Sequence, residues 1–362
     1  MHHMHATDRA GDMPRTVKQE SNESATRGRM RFFANDLRSR LCRAMLAAAG
    51  SVLAAAALSV PASAEASHHH HHHQRNPVTY KFTTLDDQAD PTFNQLLGIN
   101  DQGKIAGYFG SGTPANVHPN KGYTLNPPYG QGNYANENFP GSQQTQVTGL
   151  NNRGLTVGFS ADANGDNFGF FEKNGAFVNV VEPNAPTPAP GTPAVTQLLG
   201  VNDRDSAVGF YTDAKGDNHG FTYDIATGTF TEISIPGFTS ITASGINNDG
   251  AVVGFVTAAN GSDGSWIRSP GGQVSLLEVP NATSTQALGI SSENEVVGVY
   301  TDAAGKIHGF TWTAEHGFTT GIDDPNGIGT TTINGVNDRG QLVGFYVDAA
   351  GNTDGMLANP VH

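Results

Sequence analysis

A short anchor of the form Gly-apolar-Asn-Asp, or a near variant, recurs six times along this chain: Gly98-Ile99-Asn100-Asp101, Gly149-Leu150-Asn151-Asn152, Gly200-Val201-Asn202-Asp203, Gly245-Ile246-Asn247-Asn248, Gly289-Ile290-Ser291-Ser292 and Gly335-Val336-Asn337-Asp338. The anchor glycines are 51, 51, 45, 44 and 46 residues apart. A period of this length with only strand signals inside it is the signature of a propeller blade, a small sheet that buries its faces by stacking on copies of itself around an axis. Composition agrees. Forty-five glycines in 362 residues argue against a helical bundle, and no Gly-X-Y period is present to suggest collagen.

Each unit reads as four strands. The first ends at the anchor and turns through a fourth position occupied by Gly103, Gly154, Asp205, Gly250, Asn294 and Gly340. Only Gly, Asp and Asn stand there, the residues that enter the left-handed region most cheaply, so a type I turn with a left-handed residue is specified. The Asn before it can cap that turn with its own side chain. The second strand is a near-continuous apolar run containing glycine, such as Val252-Val253-Gly254-Phe255, which predicts burial on both faces. An Asp-Ala-x-Gly hairpin leads to a third strand opening on Gly-aromatic (Gly122-Tyr123, Gly169-Phe170, Gly220-Phe221, Gly309-Phe310). Fourth strands follow the first five anchors, at about 133–140, 177–183, 230–236, 274–280 and 318–325.

The sixth unit stops at Met356-Leu357 without a fourth strand, while an orphan strand of that type, Tyr80 to Asp87, precedes the first anchor. The two incomplete ends complement each other. The sequence therefore predicts an all-β fold, a six-bladed propeller over 78–358 with four antiparallel strands per blade, whose N-terminal strand closes the last blade and removes the open sheet edges.

The residues before 78 read differently. Residues 1–29 are polar and read as a disordered extension or as sequence appended upstream of Met30. Residues 30–64 have the order of a secretory signal peptide: Arg31, Arg38, Arg40 and Arg43, an Ala-rich apolar run from Ala44 to Val60, then Ala62-Ser63-Ala64. The run is short and weakly apolar for a span, so no membrane span is expected in the mature chain. Residues 65–77 form a linker whose His68 to His73 read as an affinity tag. A secreted or periplasmic location follows. Setting aside the 9 basic and 6 acidic residues of 1–73 leaves 11 and 27, a formal charge of −16, which argues against nucleic acid as a partner. Cys42, the only cysteine, lies in the signal segment, so the mature chain carries neither a disulfide framework nor a thiol nucleophile.

The repeats resemble an extracellular family named for its His-Ala-Phe motif, whose pattern Gly-Ile-Asn-Asp-x-Gly-x-Val-Val-Gly followed by His-small-Phe is similar to residues 200–221 and 289–310. The resemblance spans 78–358, with glycine replacing alanine in His219-Gly220-Phe221 and His308-Gly309-Phe310. It implies secretion and a repeat architecture, and it carries no activity or catalytic residues.

Equivalent positions around a ring show where a propeller is specialised. Before the third-strand glycine stand Lys121, Phe168, His219, Gly264, His308 and Asp354; two residues past the second-strand glycine stand Phe109, Ser160, Tyr211, Val256, Tyr300 and Tyr346. The hairpin between them should bring Tyr211 to His219 and Tyr300 to His308. Two readings stand. In one, the histidines bind loop carbonyls and the tyrosines cover blade edges. In the other, His219, His308, Lys121 and Asp354 face a central cleft where His exchanges protons and Tyr donates to a sugar oxygen, a set suited to lyase-type proton abstraction from an acidic polysaccharide or, with carboxylates paired at the right separation, to glycoside hydrolysis.

Tyr108, Phe109, His118, Lys121, Tyr346 and Asp354 are candidate ligand contacts, with His118 in the Gly110–Asn120 insertion and a second, Pro-rich insertion at Glu182–Thr196. Asp162 with Asp166 and Asp213 with Asp217 suggest calcium, but two carboxylates in a tight hairpin supply too few oxygens without neighbours, and plain turn chemistry is favoured. His219 and His308 lack a third ligand for zinc. No metal or other cofactor is expected. The leading function is a monomeric module binding an extracellular glycan or protein; the alternatives are a polysaccharide lyase or glycoside hydrolase using Tyr211, His219, Tyr300 and His308, and an envelope protein without a small ligand.

Overall fold

The computed structural model describes residues 78–361 apart from 115–116 and 188–192, so the expected signal segment and tag lie outside the described residues. Six four-stranded antiparallel sheets follow one another. Blade 1 is β2 (Asn94–Ile99), β3 (Ile105–Phe109), β4 (Lys121–Leu125) and β5 (Tyr134–Asn136); blade 2 is β6 (Gln144–Leu150), β7 (Thr156–Ala161), β8 (Asn167–Lys173) and β9 (Ala176–Val180). Blade 3 comprises β10 (Thr196–Val201), β11 (Ser206–Thr212), β12 (Asn218–Asp224) and β13 (Thr229–Glu232), and blade 4 comprises β14 (Ser240–Ile246), β15 (Val252–Thr257), β16 (Asp263–Arg268) and β17 (Val274–Leu277). Blade 5 holds β18 (Ser284–Ile290), β19 (Val296–Thr301), β20 (Ile307–Thr313) and β21 (Gly317–Ile322). Blade 6 holds β22 (Thr332–Val336), β23 (Leu342–Val347) and β24 (Thr353–Val361), and its outer strand is β1 (Thr79–Thr84) from the other end of the chain. Thr79 to Thr84 pair antiparallel with Val361 to Met356. The predicted closure is thus present, with β24 running to Val361. Most fourth strands are shorter than the sequence suggests: β13 stops at Glu232, although the next residue, buried Ile233, still donates its amide to the Gly220 carbonyl of β12 at 2.8 Å.

The anchors explain themselves at the axis. Each first strand carries a bulge at its anchor glycine, as between Ala287 and Gly289. A Cβ on any anchor glycine would stand 3.2–3.3 Å from the Cα of the next blade's anchor glycine, from Gly98 around to Gly335 and back. Six backbones therefore converge, and the repeating residue is the one without a side chain. The turn position has positive φ in all six blades, from 57° at Asp205 to 90° at Gly250.

The anchor Asn residues cap these turns and also join them. Asn247 Oδ1 accepts from the Asp249 and Ala251 amides at 3.1 and 2.9 Å, while its Nδ2 donates to the Ser291 carbonyl of the next blade at 3.2 Å. Asn100, Asn151, Asn202 and Asn337 repeat both contacts, with the blade-to-blade bonds at 2.9–3.2 Å. Ser291 caps only the Glu295 amide. A second circle lies beside it, in which the Asp101 amide donates to Asn152 Oδ1, Asn152 to Asp203, Asp203 to Asn248, Ser292 to Asp338 and Asp338 to Asp101, at 2.7–2.9 Å, and a side-chain bond from Asn248 Nδ2 to Ser292 Oγ at 3.2 Å spans the remaining step.

Between blades the second strands are buried on both faces, as the apolar runs predict; every residue of β7 is buried. Trp266, Tyr123, Phe170, Phe221 and Phe310, the aromatics that follow the third-strand Gly or, in blade 4, Ser265, are at most 1% exposed and fill the space between sheets.

Candidate functional site at the hairpin end

In an antiparallel blade the loop from first to second strand and the loop from third to fourth lie at one end of the ring, and the second-to-third hairpin and the link to the next blade lie at the other. The opening at the axis, about 80 Å³, is lined by the Asn-Asp turns such as Asn100, Asp101, Asn202 and Asp203. His219, His308, Lys121 and Asp354 do not line it. They start third strands, with the first and second strands of their own blades between them and the axis.

The cross-strand register brings together every pair read from the sequence: Phe109 with Lys121, Ser160 with Phe168, Tyr211 with His219, Val256 with Gly264, Tyr300 with His308 and Tyr346 with Asp354. The Tyr211 and His219 rings stack at 4.8 Å and 13°, and Tyr300 and His308 at 5.3 Å and 29°.

Each of these histidines is held between two carboxylates. His219 Nδ1 meets Glu232 Oε1 at 2.9 Å and its Nε2 meets Asp213 Oδ2 at 3.3 Å. His308 Nδ1 meets Asp323 Oδ2 at 2.7 Å and its Nε2 lies 3.5 Å from Asp302 Oδ2. Burial alone would lower the His219 pKa, but hydrogen bonds and charge from Glu232 and Asp213 outweigh it and hold the ring above the ordinary histidine value. Asp213 and Asp302 also do turn work: Asp213 Oδ1 accepts the Lys215 and Asp217 amides, and Asp302 Oδ1 those of Ala304 and Lys306. Asp162 does the same for Asn164 and Asp166. Among the described residues no group of three or more His, Cys, Asp or Glu is arranged to hold a metal ion.

The remaining candidates are scattered. His118 Nδ1 lies 2.8 Å from Asp90 Oδ2 and pins the Gly110–Asn120 insertion to the segment before β2. Burial would raise the Asp90 pKa, but the Thr92 hydroxyl and amide and His118 hold it below the usual carboxylate range. Lys121 Nζ donates to the Gln143 carbonyl. Tyr108 is 5% exposed and its hydroxyl donates to Gln95 Oε1, while Phe109 packs at the edge of the blade 1 core. Tyr346 is 2% exposed, with its hydroxyl 2.8 Å from Thr84 Oγ1 of the closing strand. Buried Tyr108, Tyr211 and Tyr346 thus build the walls of this end and leave little ring surface open. Asp354 is buried beside Tyr346; burial first, then the charges of Asp348 and Asp324, raise its pKa. Asp86 in the closing segment is raised to about 6, chiefly by burial, with the Gly355 amide opposing and Asp354 and Asp348 adding to the rise. Sequence reasoning missed Glu232 and Asp323 because each sits at the end of a fourth strand, where a carboxylate alone carries no motif.

A ring of six four-stranded sheets closed by its own N-terminus makes the chain a six-bladed β-propeller. No family model matches the chain and no curated protein matches it, so the likeness to His-Ala-Phe repeats rests on the motifs alone. Among solved structures, a TolB-type protein of Agrobacterium tumefaciens is similar over 79% of this chain and 100% of its own, with 13% identity and a TM-score of 0.52. TolB of Acinetobacter baumannii matches 72% of this chain at 12% identity and a TM-score of 0.47, and the chain spans 64% of its length. The SapL1 lectin in complex with alpha methyl fucoside matches 75% of this chain and 93% of its own at 9% identity and a TM-score of 0.48. These likenesses concern the fold. Among the described residues no helix is long and apolar enough to cross a membrane.

Proposed function

We propose that this chain is a secreted or periplasmic binding module, acting as a monomer, that holds an extracellular glycan or protein on the hairpin end of its propeller. The contrast between the two ends carries this reading. At the turn end the six blades present nearly the same residue at each position, bonded blade to blade. At the hairpin end the six register-equivalent pairs carry five different side-chain combinations, with only the Tyr-His pair of blades 3 and 5 repeated, on a backbone of constant geometry. Variation confined to one face of a rigid scaffold is how binding surfaces are built.

The clamps favour holding over proton transfer. An imidazole with both nitrogens turned to carboxylates has no free ring nitrogen for a substrate proton, which weighs against His219 and His308 as the base of a lyase or hydrolase. The test is a glycan array on residues 74–362 beside assays for unsaturated products and new reducing ends. Retained glycan without turnover is expected; product formation lost in His219→Ala and His308→Ala would replace this reading with the enzymatic one.

A further inference from the structure

Blade 4 lacks the ring pair and the hairpin carboxylate that fill this end in blades 3 and 5. By cross-strand register, Tyr211, His219 and Glu232 of blade 3 correspond to Val256, Gly264 and Leu276, and the Asp213 that follows β11 corresponds to the Ala258 that follows β15. A stacked ring pair and its carboxylates are thus replaced by small or aliphatic groups. The result is a recess of about 280 Å³ lined by these four residues, by Phe238 from the link into blade 4, and by Glu278 and Asp263.

The two carboxylates differ. Asp263 is spoken for, its oxygens accepting from Thr257 Oγ1 at 2.7 Å and Gln286 Nε2 at 2.6 Å. Glu278 occupies the place of Asp323, since Leu277 pairs with Ser265 as Ile322 pairs with Gly309. In blade 5 the carboxylate at that place receives the His308 imidazole. In blade 4 the imidazole is gone, and the exposed Glu278 faces the space left at Gly264, 3.6 Å from where a Cβ would stand there. Leu276 is 53% exposed, a large apolar side chain left open beside the recess.

We propose that the blade 4 recess is a binding subsite for one hexopyranose unit, neutral or carrying an amino group, which supplies the ring and hydrogen-bond donors that His308 supplies in blade 5. This rests on the glycan reading above. The volume lies just below the ~300–1,000 Å³ of ordinary ligand pockets, which suits a single ring rather than a length of chain. A pyranose offers an apolar C–H face to Leu276 and Phe238, and hydroxyl or ammonium donors to Glu278. A uronic acid would bring a third negative charge beside Glu278 and Asp263 and is excluded.

The probes are the methyl glycosides of glucose, galactose, mannose and fucose, with glucosamine and methyl glucuronide, read by saturation-transfer NMR and titration calorimetry against the whole mature chain. Gly264→Phe places in blade 4 the residue that blade 2 carries at Phe168, with no heavy atom nearer than 3.6 Å to the new Cβ. Binding of a neutral or amino sugar is expected, lost by about tenfold or more in Gly264→Phe, the change that about 1.4 kcal/mol produces, with no fall in melting temperature. Glu278→Gln, on an exposed side chain, should weaken glucosamine most and serves if the phenylalanine variant fails to fold. Unchanged binding in both variants, or preference for the glucuronide, refutes the subsite. A positive glycan array with every monosaccharide silent refutes the subsite alone; a blank array refutes the glycan reading with it.

Discussion

Two glycines in blade 4, on adjacent strands, should respond to alanine with opposite signs. Gly254 lies in β15 where its strand crosses closest to β14 and Trp266. A Cβ there would stand 2.0 Å from the Thr242 carbonyl oxygen and 2.6 Å from Trp266 Cζ2, and Trp266 is fully buried. Neither neighbour yields easily, one being backbone and the other a packed ring. Overpacking of this kind costs about 1–3 kcal/mol, and more where backbone must move. Alanine's smaller loss of chain entropy returns about 0.5–1 kcal/mol.

Gly254→Ala is therefore expected to destabilise by about 0.5–2 kcal/mol, the difference of those two ranges. At Gly264 the nearest heavy atoms to a new Cβ are 3.6 and 3.7 Å away and φ is not positive, so only the favourable term remains. Gly264→Ala is expected to stabilise by about 0.5–1 kcal/mol. The gap of roughly 1–3 kcal/mol corresponds to a separation of about 2–6 °C in melting temperature for a domain near this size. Differential scanning calorimetry of the two variants beside the parent chain reads it directly. Equal melting temperatures, or a Gly264→Ala variant as damaged as Gly254→Ala, would refute the assignment of the repeating second-strand glycine to close approach.

Three further outcomes follow from the ring. Ser291→Asn should stabilise by about 0.5–1.5 kcal/mol, one net hydrogen bond, because Ser291 is the one anchor without an amide to donate to the next blade's turn; urea denaturation checks it, and a loss of stability would contradict the blade-to-blade role of the asparagines. Deletion of 74–88 removes the whole of β1 with buried Leu85 and bares β24 as an edge; a lower melting temperature with concentration-dependent association in size-exclusion chromatography is expected, and an unchanged one is incompatible with closure. The third is a pH response. Asp86 has its pKa raised from 3.8 to about 6, so its charged form is disfavoured in the folded chain; stability gained from its protonation grows as pH falls through 6 toward 3.8. Asp86→Asn should thus stabilise at pH 8 and leave stability near pH 4 unchanged. His219 has the other sense: its raised pKa gives stability that is full below the free histidine value near 6.5 and lost as pH rises through the folded value, so His219→Gln should flatten that part of the profile.

The ring was legible because its determinants are local and repeated. Anchor spacing, the residues able to take positive φ at Asp205 and Asn294, and the complementary chain ends each needed only the sequence. The cross-strand pairs at the hairpin end were legible too, since hairpin register follows from the positions of Gly209 and Gly298 relative to their loops. The acidic partners were not. In blade 3 the clamping carboxylate is Glu232, which pairs with Phe221, whereas in blade 5 it is Asp323, beyond a register shift between Gly309 and Phe310. A bulge of that kind depends on how the fourth strand packs, and no spacing rule places its carboxylate. The blade 4 recess was hidden for a related reason: Val256, Ala258, Gly264 and Leu276 are unremarkable singly and become a feature only when the fold sets them where a clamp stands elsewhere.

The division of labour between the two ends explains why such a recess is tolerated. Closure depends on the glycine contacts at the axis, the asparagine circles beside them and the pairing of β1 with β24. None of these runs through the hairpin end of blade 4, whose own integrity rests on Trp266 and the surrounding apolar cluster below the recess. Emptying a clamp there removes stacking and ion pairs that are partly exposed, contacts of modest worth, while the buried contacts between sheets stay intact. Blade 4 can therefore lack the Tyr-His pair and its hairpin carboxylate at small cost to folding, and the space so opened lies over a sheet whose Trp266 and surrounding apolar cluster stay packed.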